Sequence, residues 1–570
     1  MNYNLTTENI TENYGANLLK QRGIENVDLF LNPQPCSLQD WKDLDNIESG
    51  IQLIKDTINN NLPYALIVDC DVDGFTSSTI LYNYIKFLNP NKEIEYFLHK
   101  GKQHGLEDMW EKLQEKEYCA ILVPDAGSND SQYAINLNVP ILVLDHHILE
   151  DDYLANNLIL INNQVSEKYV NKNLSGAGVT WQFCRALDDV FNINYSKELI
   201  DLAALGIDAD MMSMLSYENQ YIIQTGFRNI NNFFFKVLID KQSYSMNNKI
   251  TPITVAFYIV PMINAMIRVG SMDEKERLFL AFIDGEKIVP CNKRGAKGTM
   301  ELVAIESARE CTNAKSRQDK LKEKIVDSLD IKIHKNGLLD NQVLFIRLDD
   351  EDEFPSELNG LVAMQLSARY NKPTIVARLN DEGYIRGSAR GLNKSELKSF
   401  KDFLNNTNLF EYTAGHDNAF GISINNSYLS QFHNIANKEL MNIDFGVNVY
   451  DVDFVRQAKD TDLDKIILDL SRYEQVWGQQ NPEALILVKD IFIRKEDIQI
   501  IGKNKDTLKF EKNGITYIKF HAKDIIPLLN QYEEMRINLI GKGNLNEWGG
   551  RQIPQLFIED LEVFDSALDF

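Results

Sequence analysis

Short, uninterrupted apolar runs alternate with helical stretches over the first third of the chain. The runs occupy residues 65–68, 120–123 and 141–144, and residues 77–88 have helical character. Continuous apolar runs of this length are typical of strands that are buried on both faces of a parallel sheet. The pattern from about residue 64 to 165 therefore predicts an α/β domain.

The pattern changes twice further along the chain. Residues 298–329 are rich in Ala, Glu, Lys and Leu and contain no proline, which predicts a long helix connecting two lobes. A second α/β pattern follows, with apolar runs at 343–346 and 374–377 around a helical stretch at 358–370. From about 484 to 564, short β-like segments separated by Gly and Asn turns predict a small barrel.

Length and composition indicate a globular protein of several domains. The chain has 570 residues, of which 44% are hydrophobic and 25% charged, so we expect roughly three or four domains. No window reaches about 18 uncharged apolar residues, and the polar, acidic N-terminus lacks the features of a secretory signal. The six cysteines are scattered without a CxxC pair, which argues against a zinc cluster and against disulfides. We expect a cytoplasmic protein without a membrane span.

The net charge of −24 argues at first sight against a nucleic-acid partner, because phosphate binding usually requires basic surface. Two considerations weaken this objection. A metal site concentrates carboxylates that bound cations neutralise, and net charge does not report how charge is distributed. A narrow basic channel is therefore compatible with this composition.

Acidic residues follow each of the three apolar runs. The residues are Asp69, Asp71 and Asp73 after the first run, Asp125 after the second, and Asp145, His146 and His147 after the third. In an open α/β sheet, ligands bind beyond the carboxyl ends of the strands. Carboxylates that converge there repel one another unless divalent cations neutralise them. Oxygen ligands with one or two histidines suit Mn²⁺ or Mg²⁺.

Each piece has a simpler interpretation when it is taken alone. A DxDxDG segment is often a turn or a calcium loop, but a calcium loop needs Glu six residues after Gly74, where Ile80 stands. Asp125 alone would be a helix cap, and the tripeptide Asp145-His146-His147 alone is a weak signal. Their joint occurrence at three strand ends, in this order, favours a metal site.

These segments resemble motifs I, II and III of the DHH phosphoesterases, and DCDVDGFTSS resembles the form of motif I found in RecJ-type exonucleases. Residues 204–210 (ALGIDAD) resemble the fourth motif, which makes Asp210 a metal ligand by resemblance. Asp208 stands where the family usually has a small apolar residue, and we assign it no role.

The resemblance extends along nearly the whole chain. Further matching segments lie at 17–33, 174–179 (LSGAGV), 261–270 (PMINAMIRVG), 386–391 (RGSARG), 414–421 (AGHDNAFG), 477–483 (WGQQNPE) and 544–560. The usual GGH of the family is here Ala414-Gly415-His416. The implied fold is α/β: a parallel-sheet DHH domain, a long connecting helix, a smaller α/β DHH-associated domain and a C-terminal OB-type barrel. The expected boundaries are 1–45, 46–235, 236–330, 331–445 and 446–570.

Several of these segments carry candidate substrate-binding residues. Glycine permits close approach of a phosphate, and arginine offers a planar fork for its oxygens, although such segments are often ordinary turns. Asn264 and Arg268 are one helical turn apart and either face a cleft together or form a surface pair. The substrate-binding set is Asn264, Arg268, Arg386, Ser388, Arg390, Gly415 and His416.

Weaker candidates for contacts with a nucleic acid lie elsewhere in the chain. Lysines and arginines that either line a groove or form a solvated face are Lys293, Arg294, Lys297, Lys315, Arg317 and Lys320. Aromatic residues of the barrel either stack bases or belong to its core, and these are Tyr517, Phe520 and Trp548.

The resemblance implies hydrolysis of a phosphodiester with two Mn²⁺ or Mg²⁺ ions. The expected ligands are Asp71, Asp73, Asp125, His146 and Asp210, with Asp125 as a bridge between the ions. Asp69 is expected to act as a further ligand or to support one. His147 is expected to contact the scissile phosphate, to assist the leaving oxygen, or to orient His146.

The family likeness also implies a substrate and alternatives to it. We expect a monomer that removes nucleotides 5′→3′ from single-stranded DNA, with a single-strand-binding protein or a helicase as candidate partners. One alternative is a phosphodiesterase for oligoribonucleotides, cyclic dinucleotides or pyrophosphate, but such relatives lack the terminal barrel. The other is an inactive replication scaffold, which the complete set of ligand positions disfavours.

Overall fold

The computed structural model describes residues 1–8, 10–150, 155–349, 352, 354–548 and 551–565, without the side chains of Trp548 and Arg551. The expectation for the Trp548 side chain thus lies outside the described residues. The chain divides into two compact units. The parallel-sheet unit comprises Asn26–Asp319 and Gln475–Pro482, and the mixed-sheet unit comprises Met1–Glu25, Lys320–Glu474 and Glu483–Phe570. The five domains predicted from the sequence stay a prediction.

The α-helices are α1 (Tyr14–Gln21), α2 (Val27–Leu31), α3 (Ile47–Thr57), α4 (Val72–Leu88), α5 (Trp110–Leu113), α6 (Ser131–Ala134), α7 (Gly176–Phe191), α8 (Ile200–Ala209), α9 (Tyr217–Arg228), α10 (Phe233–Gln242), α11 (Pro252–Tyr258), α12 (Val260–Val269), α13 (Met272–Ile283), α14 (Val303–Lys335), α15 (Asn359–Tyr370), α16 (Phe400–Asn406), α17 (Leu429–Glu439), α18 (Leu463–Leu470) and α19 (Ile526–Leu529).

The β-strands are β1 (Asn2–Leu5), β2 (Tyr64–Val68), β3 (Ile94–Leu98), β4 (Ala120–Pro124), β5 (Ile141–Asp145), β6 (Leu158–Asn162), β7 (Ile288–Pro290), β8 (Met300–Leu302), β9 (Leu344–Leu348), β10 (Thr374–Leu379), β11 (Tyr384–Arg390), β12 (Phe410–His416), β13 (Ala419–Asn425), β14 (Val449–Val452), β15 (Phe454–Gln457), β16 (Leu485–Arg494), β17 (Gln499–Ile501), β18 (Thr507–Lys512), β19 (Ile515–Lys519), β20 (Glu534–Trp548) and β21 (Arg551–Asp565).

A five-stranded parallel sheet of order β3-β2-β4-β5-β6 forms the centre of the parallel-sheet unit. Every residue of β2, β4 and β5 is buried, because alternate side chains enter two separate cores. Leu66 and Leu122 belong to one core, whereas Ile67 and Val123 belong to the other. Burial on both faces explains why these strands appear in the sequence as continuous apolar runs.

Several strands and helix starts differ from the sequence prediction. The edge strands β3 and β6 were not predicted. Helix α4 begins at Val72 rather than at residue 77, because the Asp71 side chain caps it by accepting the Gly74 N–H at 2.9 Å. Helix α14 begins at Val303 rather than at residue 298, because β8 pairs with β7 in a hairpin immediately before it.

The mixed-sheet unit contains two larger sheets. The first has the order β12-β13-β11-β10-β9, in which β9 and β10 are parallel and the remaining pairs antiparallel. The second has seven strands in the order β15-β16-β20-β21-β19-β18-β17 and corresponds to the predicted barrel. Strand β1 pairs in parallel with β14, an N-terminal strand that the sequence pattern did not reveal. The predicted α/β fold class with a terminal β domain is confirmed.

One helical stretch in the described chain, Pro252–Val269, is long and apolar enough to span a membrane by composition. Half of this stretch is buried inside the protein. It belongs to α11 and α12, whose apolar residues Val255 and Ile263 enter the main core of the parallel-sheet unit. The core helices of globular proteins commonly have this length and apolar composition, so the stretch is weak evidence for a membrane span.

Candidate active site

The carboxyl edge of the parallel sheet gathers the acidic residues that the sequence places after its strands. Asp69 follows β2, Asp125 follows β4, and Asp145 is the last residue of β5. Asp71 and Asp73 lie at the start of α4, immediately after β2. Because the strands are neighbours and parallel, their carboxyl ends bring these residues to one place. We call the group of Asp69, Asp71, Asp73, Asp125, His146 and Asp210 the acidic edge.

His146 lies at the centre of the acidic edge. Its Nε2 atom is 3.4 Å from Asp125 Oδ1, 3.5 Å from Asp210 Oδ2 and 4.0 Å from Asp73 Oδ2. Asp210 reaches this point from the C-terminal end of α8. One imidazole nitrogen and three carboxylates from four chain segments therefore surround a common point.

The N-terminus of α7 orients Asp73. Ser175 donates its hydroxyl to Asp73 Oδ1 at 2.9 Å, and the Gly176 N–H donates to Oδ2 at 2.7 Å. The Ala177 N–H donates to Oδ1 at 3.1 Å. Exposed N–H groups at a helix N-terminus favour an anion. The LSGAGV segment thus supports the site through its backbone.

Two glycines allow elements to approach the carboxylates closely. A Cβ atom on Gly176 would lie 2.2 Å from Asp125 Oδ1 and 2.6 Å from the Asp125 Cα. A Cβ atom on Gly206 would lie 2.2 Å from Asp73 Oδ1. Larger residues at these positions would displace the carboxylates from the acidic edge.

Asp125 has an unusual backbone and an unusual side chain. Its φ of 69° lies in the left-handed region, which costs a non-glycine residue about 1 kcal/mol or more. Its Oδ1 is buried and has no hydrogen-bond partner among the described residues. Both costs are expected where a carboxylate is oriented toward a ligand.

The electrostatics of the acidic edge call for positive charge. Burial, with the negative charges of Asp69 and Asp73, raises the pKa of Asp71 to about 6. Burial, with the charges of Asp73 and Asp71, raises the pKa values of Asp125 and Asp210 well above the usual range of a carboxyl group. Bound divalent cations would remove this repulsion.

The two histidines of the DHH tripeptide differ in charge. Burial, together with the neighbouring His147, lowers the pKa of His146, which leaves a neutral ring with a lone pair. The pKa of His147 is raised to about 9, because its contact with Asp145 at 2.8 Å outweighs the effect of burial. Although burial acts the other way, the charge of His147 holds the pKa of Asp145 well below its usual range. His147 is thus cationic at neutral pH, and its side chain is 54% exposed.

Asp145 orients this tripeptide. It accepts the backbone N–H groups of His146 at 2.7 Å and of Ser128 at 3.0 Å. Asn162 donates to the His147 carbonyl at 2.8 Å. The loop after β5 is therefore fixed at both histidines.

Sequence reasoning missed one residue at this edge, His104. Its Nδ1 lies 2.8 Å from Asp69 Oδ2, and it comes from the loop after β3. Hydrogen bonding to Asp69 outweighs burial and raises the pKa of His104 to about 12. The available signal was a pair of histidines, His99 and His104, after a strand that was not predicted.

The remaining candidates near the acidic edge differ in position. Arg268 lies on α12, near Asp71 and Cys70. Burial lowers the pKa of Arg268, and the nearby Asp71 and Cys70 partly oppose this lowering. Asn264 is one turn earlier on the same helix and is partly exposed. Asp208 is buried, its Oδ2 has no hydrogen-bond partner in the described part of the chain, and burial raises its pKa well above the usual range.

The candidates of the mixed-sheet unit form a second group. Arg386, Ser388 and Arg390 alternate along β11, so they share one face of the sheet. The strand register places Arg390 opposite Ala419, and Ala419 opposite His416, on that same face. Gly415, with φ of 130°, precedes His416 in β12. Residues 386–390 form a strand rather than a turn, whereas residues 414–421 form a hairpin whose turn is Asp417 and Asn418. We call Arg386, Ser388, Arg390 and His416 the basic face.

The weaker basic candidates divide into two sets. Lys315 pairs with Asp319, and Arg317 pairs with Glu274 at 2.9 Å, so their charges are neutralised locally. Lys293, Arg294 and Lys297 are exposed in the loop that joins β7 to β8, and Lys320 is exposed on α14.

The barrel aromatics also divide. Tyr517 is only 2% exposed and stacks on Phe510, so it belongs to the core of its sheet. Phe520 is 54% exposed and lies near Phe557. Of these two residues, only Phe520 is open to a base.

A parallel sheet whose carboxyl edge collects aspartates from four segments, together with an Asp-His-His tripeptide, is the arrangement that defines DHH phosphoesterases. Residues 64–207 match the model of the DHH family, N-terminal domain, and residues 453–560 match that of the RecJ OB domain. The chain belongs to the RecJ-type branch of the DHH family.

Similar proteins cover nearly the whole chain. The chain is 35% identical over 559 residues to the putative SPbeta prophage-derived single-strand DNA-specific exonuclease YorK of Bacillus subtilis, covering 96% of both. It is 25% identical to the single-stranded-DNA-specific exonuclease RecJ of the same organism, covering 97% of this chain and 68% of that one. The structure of Thermus thermophilus RecJ with Mn²⁺ superimposes with a TM-score of 0.70 at 19% identity, covering 95% of this chain and 74% of that one.

Proposed function

We propose that this protein is a metal-dependent exonuclease that hydrolyses phosphodiester bonds of single-stranded DNA. The observation that carries the proposal is the convergence of Asp73, Asp125 and Asp210 on the neutral Nε2 of His146 within 4.0 Å. The substrate follows from the relatives, which are named as single-strand-DNA-specific exonucleases.

The residues present fit a pair of divalent cations. The buried Asp125 Oδ1 has no hydrogen-bond partner among the described residues, and the acidic edge carries more negative charge than its surroundings neutralise. The residues that would hold the cations are Asp71, Asp73, Asp125, His146 and Asp210, with Asp69 beside them. An imidazole among oxygen ligands favours Mn²⁺, with Mg²⁺ as the other candidate. Bound cations would activate a water molecule and stabilise charge on the phosphate.

The chain's own residues supply the remaining functions. Asp145 keeps His147 protonated, so its exposed ring can donate a proton or a hydrogen bond to an oxygen of the scissile phosphate. Arg268 offers a second positive charge beside Asp71. His104 orients Asp69, which would in turn fix the positions of the neighbouring metal ligands.

The basic face would bind the DNA backbone. Arg386 is 52% exposed and only loosely paired with Glu382, at 3.6 Å. Arg390 and Ser388 are more enclosed than Arg386, because Ser388 is 9% exposed and a Cβ atom on Gly360 of α15 would lie 2.4 Å from a guanidinium nitrogen of Arg390. The terminal β domain and its exposed Phe520 favour a polymeric substrate over a dinucleotide.

The finer parts of the proposal concern direction and context. By family likeness we propose 5′→3′ removal of nucleotides by a cytoplasmic monomer. A single-strand-binding protein or a helicase would supply the DNA ends.

The test is digestion of end-labelled oligonucleotides with Mn²⁺, with Mg²⁺ and with chelator. We expect Mn²⁺-dependent release of mononucleotides from 5′-labelled single-stranded DNA, with duplex DNA and short RNA resistant. Preferential hydrolysis of a dinucleotide RNA or a cyclic dinucleotide would contradict the DNA assignment. Binding of DNA without hydrolysis under any metal would indicate the scaffold alternative.

A further inference from the structure

A thiol and an imidazole lie beside the acidic edge and share one carboxylate with it. Cys70 stands between Asp69 and Asp71 in the chain. Its Sγ atom is 3.8 Å from Nδ1 and 3.9 Å from Nε2 of His104, and His104 Nδ1 is 2.8 Å from Asp69 Oδ2. One ligand atom from each of these three residues lies within 4.8 Å of the others.

These distances suit a tetrahedral cation. With Zn–N and Zn–O bonds of about 2.0 Å and Zn–S bonds of about 2.3 Å, a nitrogen and a sulfur ligand lie roughly 3.5 Å apart, and a nitrogen and an oxygen ligand roughly 3.3 Å apart. The Cys70–His104 separation of 3.8 Å is within about 0.3 Å of the first distance. The Asp69–His104 hydrogen bond of 2.8 Å would have to open by about half an ångström, which the partly exposed His104 ring allows.

The ligand chemistry differs from that of the acidic edge. The acidic edge offers carboxylates and one imidazole, which suit Mn²⁺ and Mg²⁺. A thiolate with an imidazole and a single carboxylate is a softer set, which selects Zn²⁺ over these hard cations.

The loop after β3 holds His104 in place. The Leu106 N–H donates to Asp130 Oδ2 at 2.6 Å, and the Gly105 N–H donates to Asp69 Oδ1 at 3.4 Å. Lys275, from α13, donates to the carbonyl of Lys100 at 3.0 Å. The His104 side chain is 57% exposed, so a cation can reach it from solvent.

We propose that Asp69, Cys70 and His104 form a zinc-binding site, with water as the fourth ligand. Zn²⁺ bound there replaces the hydrogen bond between His104 and Asp69 and draws Asp69 away from Asp71 and Asp125. Zinc would therefore inhibit Mn²⁺-supported hydrolysis. The inhibition rests on the proposed function, whereas the binding does not.

The binding test uses the full-length, metal-free protein and Co²⁺ as a spectroscopic substitute for Zn²⁺. A thiolate ligand produces a sulfur-to-cobalt charge-transfer absorption in the near ultraviolet, which carboxylates and imidazoles do not produce. We expect one such band in the wild type, its loss in Cys70→Ser, and its displacement by stoichiometric Zn²⁺. Cys36→Ser removes an exposed cysteine elsewhere and should keep the band.

A second cysteine provides the decisive control. Cys291 lies near Glu301 and Glu306, but Arg309 already pairs with both glutamates. A band that survives in Cys70→Ser and disappears in Cys291→Ser would overturn the proposal, as would the absence of any band in the wild type.

The inhibition test compares the Zn²⁺ concentration that halves Mn²⁺-supported hydrolysis, with each variant normalised to its own zinc-free rate. Losing a supporting group costs about 10–100-fold in metal affinity, and losing a ligand costs no less. We expect Cys70→Ser and His104→Gln to require at least about tenfold more Zn²⁺ than the wild type. Equal sensitivity in all three proteins would overturn the inhibitory role. Failure of hydrolysis in every protein, with the cobalt band intact, would contradict only the proposed function.

Discussion

The acidic edge and the basic face are two different solutions to the problem of binding a phosphodiester. At the acidic edge, side chains from separate segments are buried, and a Cβ atom on Gly176 would lie 2.2 Å from a carboxylate oxygen. At the basic face, Arg386 is 52% exposed, and a Cβ atom on Gly421 would meet nothing nearer than 3.8 Å. The first region is tightly packed and carries like charges in contact, whereas the second is open around Arg386 and Gly421. Single substitutions should therefore act steeply in the first region and gradually in the second.

The largest effect should follow from Asp125→Asn. Asparagine keeps the shape and tolerates the left-handed backbone, but it removes one charge from the ligand set. We expect Mn²⁺-supported hydrolysis to fall by roughly 10²–10³-fold or more, the scale of losing one electrostatic group in an active site. End-labelled digestion measures this loss.

The thermal stability of Asp125→Asn shows whether its loss of activity comes from the missing charge or from a damaged fold. The pKa of Asp125 is raised well above its usual range, so its ionised form is destabilising in the metal-free protein at neutral pH. Asp125→Asn should therefore melt at a higher temperature than the wild type in chelator and should gain less stability from Mn²⁺. A variant that is inactive and also melts earlier in chelator would indicate a structural role.

A matched pair of glycine substitutions compares the two regions directly. Gly176→Ala places a methyl group against Asp125 and should cost about 1–3 kcal/mol of stability as well as most of the activity. Gly421→Ala has room for its methyl group, so activity should change little. Thermal melts and digestion rates on both variants test the contrast, and equal losses would contradict it.

The sequence was most informative where burial and chain order constrain the residues. Strands β2, β4 and β5 appeared as apolar runs because both of their faces are covered. The carboxyl ends of neighbouring parallel strands must meet, so Asp69, Asp125 and Asp145 could be grouped without a structure. Asp210 could be added to this group only by resemblance. It lies at the end of a helix, and the position of a helix end relative to the sheet edge does not follow from chain order.

The rest could not be predicted because it depends on long-range geometry. The edge strand β3 mixes polar and apolar residues and was not predicted as a strand. The following loop, which carries His104, could therefore not be placed at the edge of the sheet. The support of Asp73 by Ser175 joins residues 102 positions apart. The neutral state of His146 and the cationic state of His147 depend on burial and on Asp145, which residue identity does not report.

The dependence of hydrolysis on pH should reflect the ionisation of two groups, Asp71 and His147. Below a pH of about 6, protons compete with cations at Asp71, so metal affinity and activity should fall. The raised pKa of His147 means that its positive charge is present below, and lost above, a pH of about 9. We therefore expect a bell-shaped profile of kcat/KM in the wild type.

A His147 variant tests the origin of the alkaline limb. His147→Gln should lower kcat by about 10²-fold or more, the contribution of a proton donor, and should remove the alkaline limb. Retention of that limb in the variant would assign it to another group. The acid limb should remain in both proteins, because Asp71 is unchanged.

The smallest effect should come from the basic face. Arg386→Gln removes one exposed contact with the DNA backbone, so KM should rise a few-fold with kcat nearly unchanged, and the slope of log affinity against log salt should fall by about one. Arg347→Gln is the matched control, because Arg347 is opposite Ala377 in the sheet register and hence on the other face from Arg386. If Arg386→Gln and Arg347→Gln changed the salt dependence of DNA affinity equally, the loss of affinity would reflect net charge rather than a DNA contact at the basic face. A loss of kcat in Arg386→Gln would instead show that the open face, like the acidic edge, takes part in the chemical step.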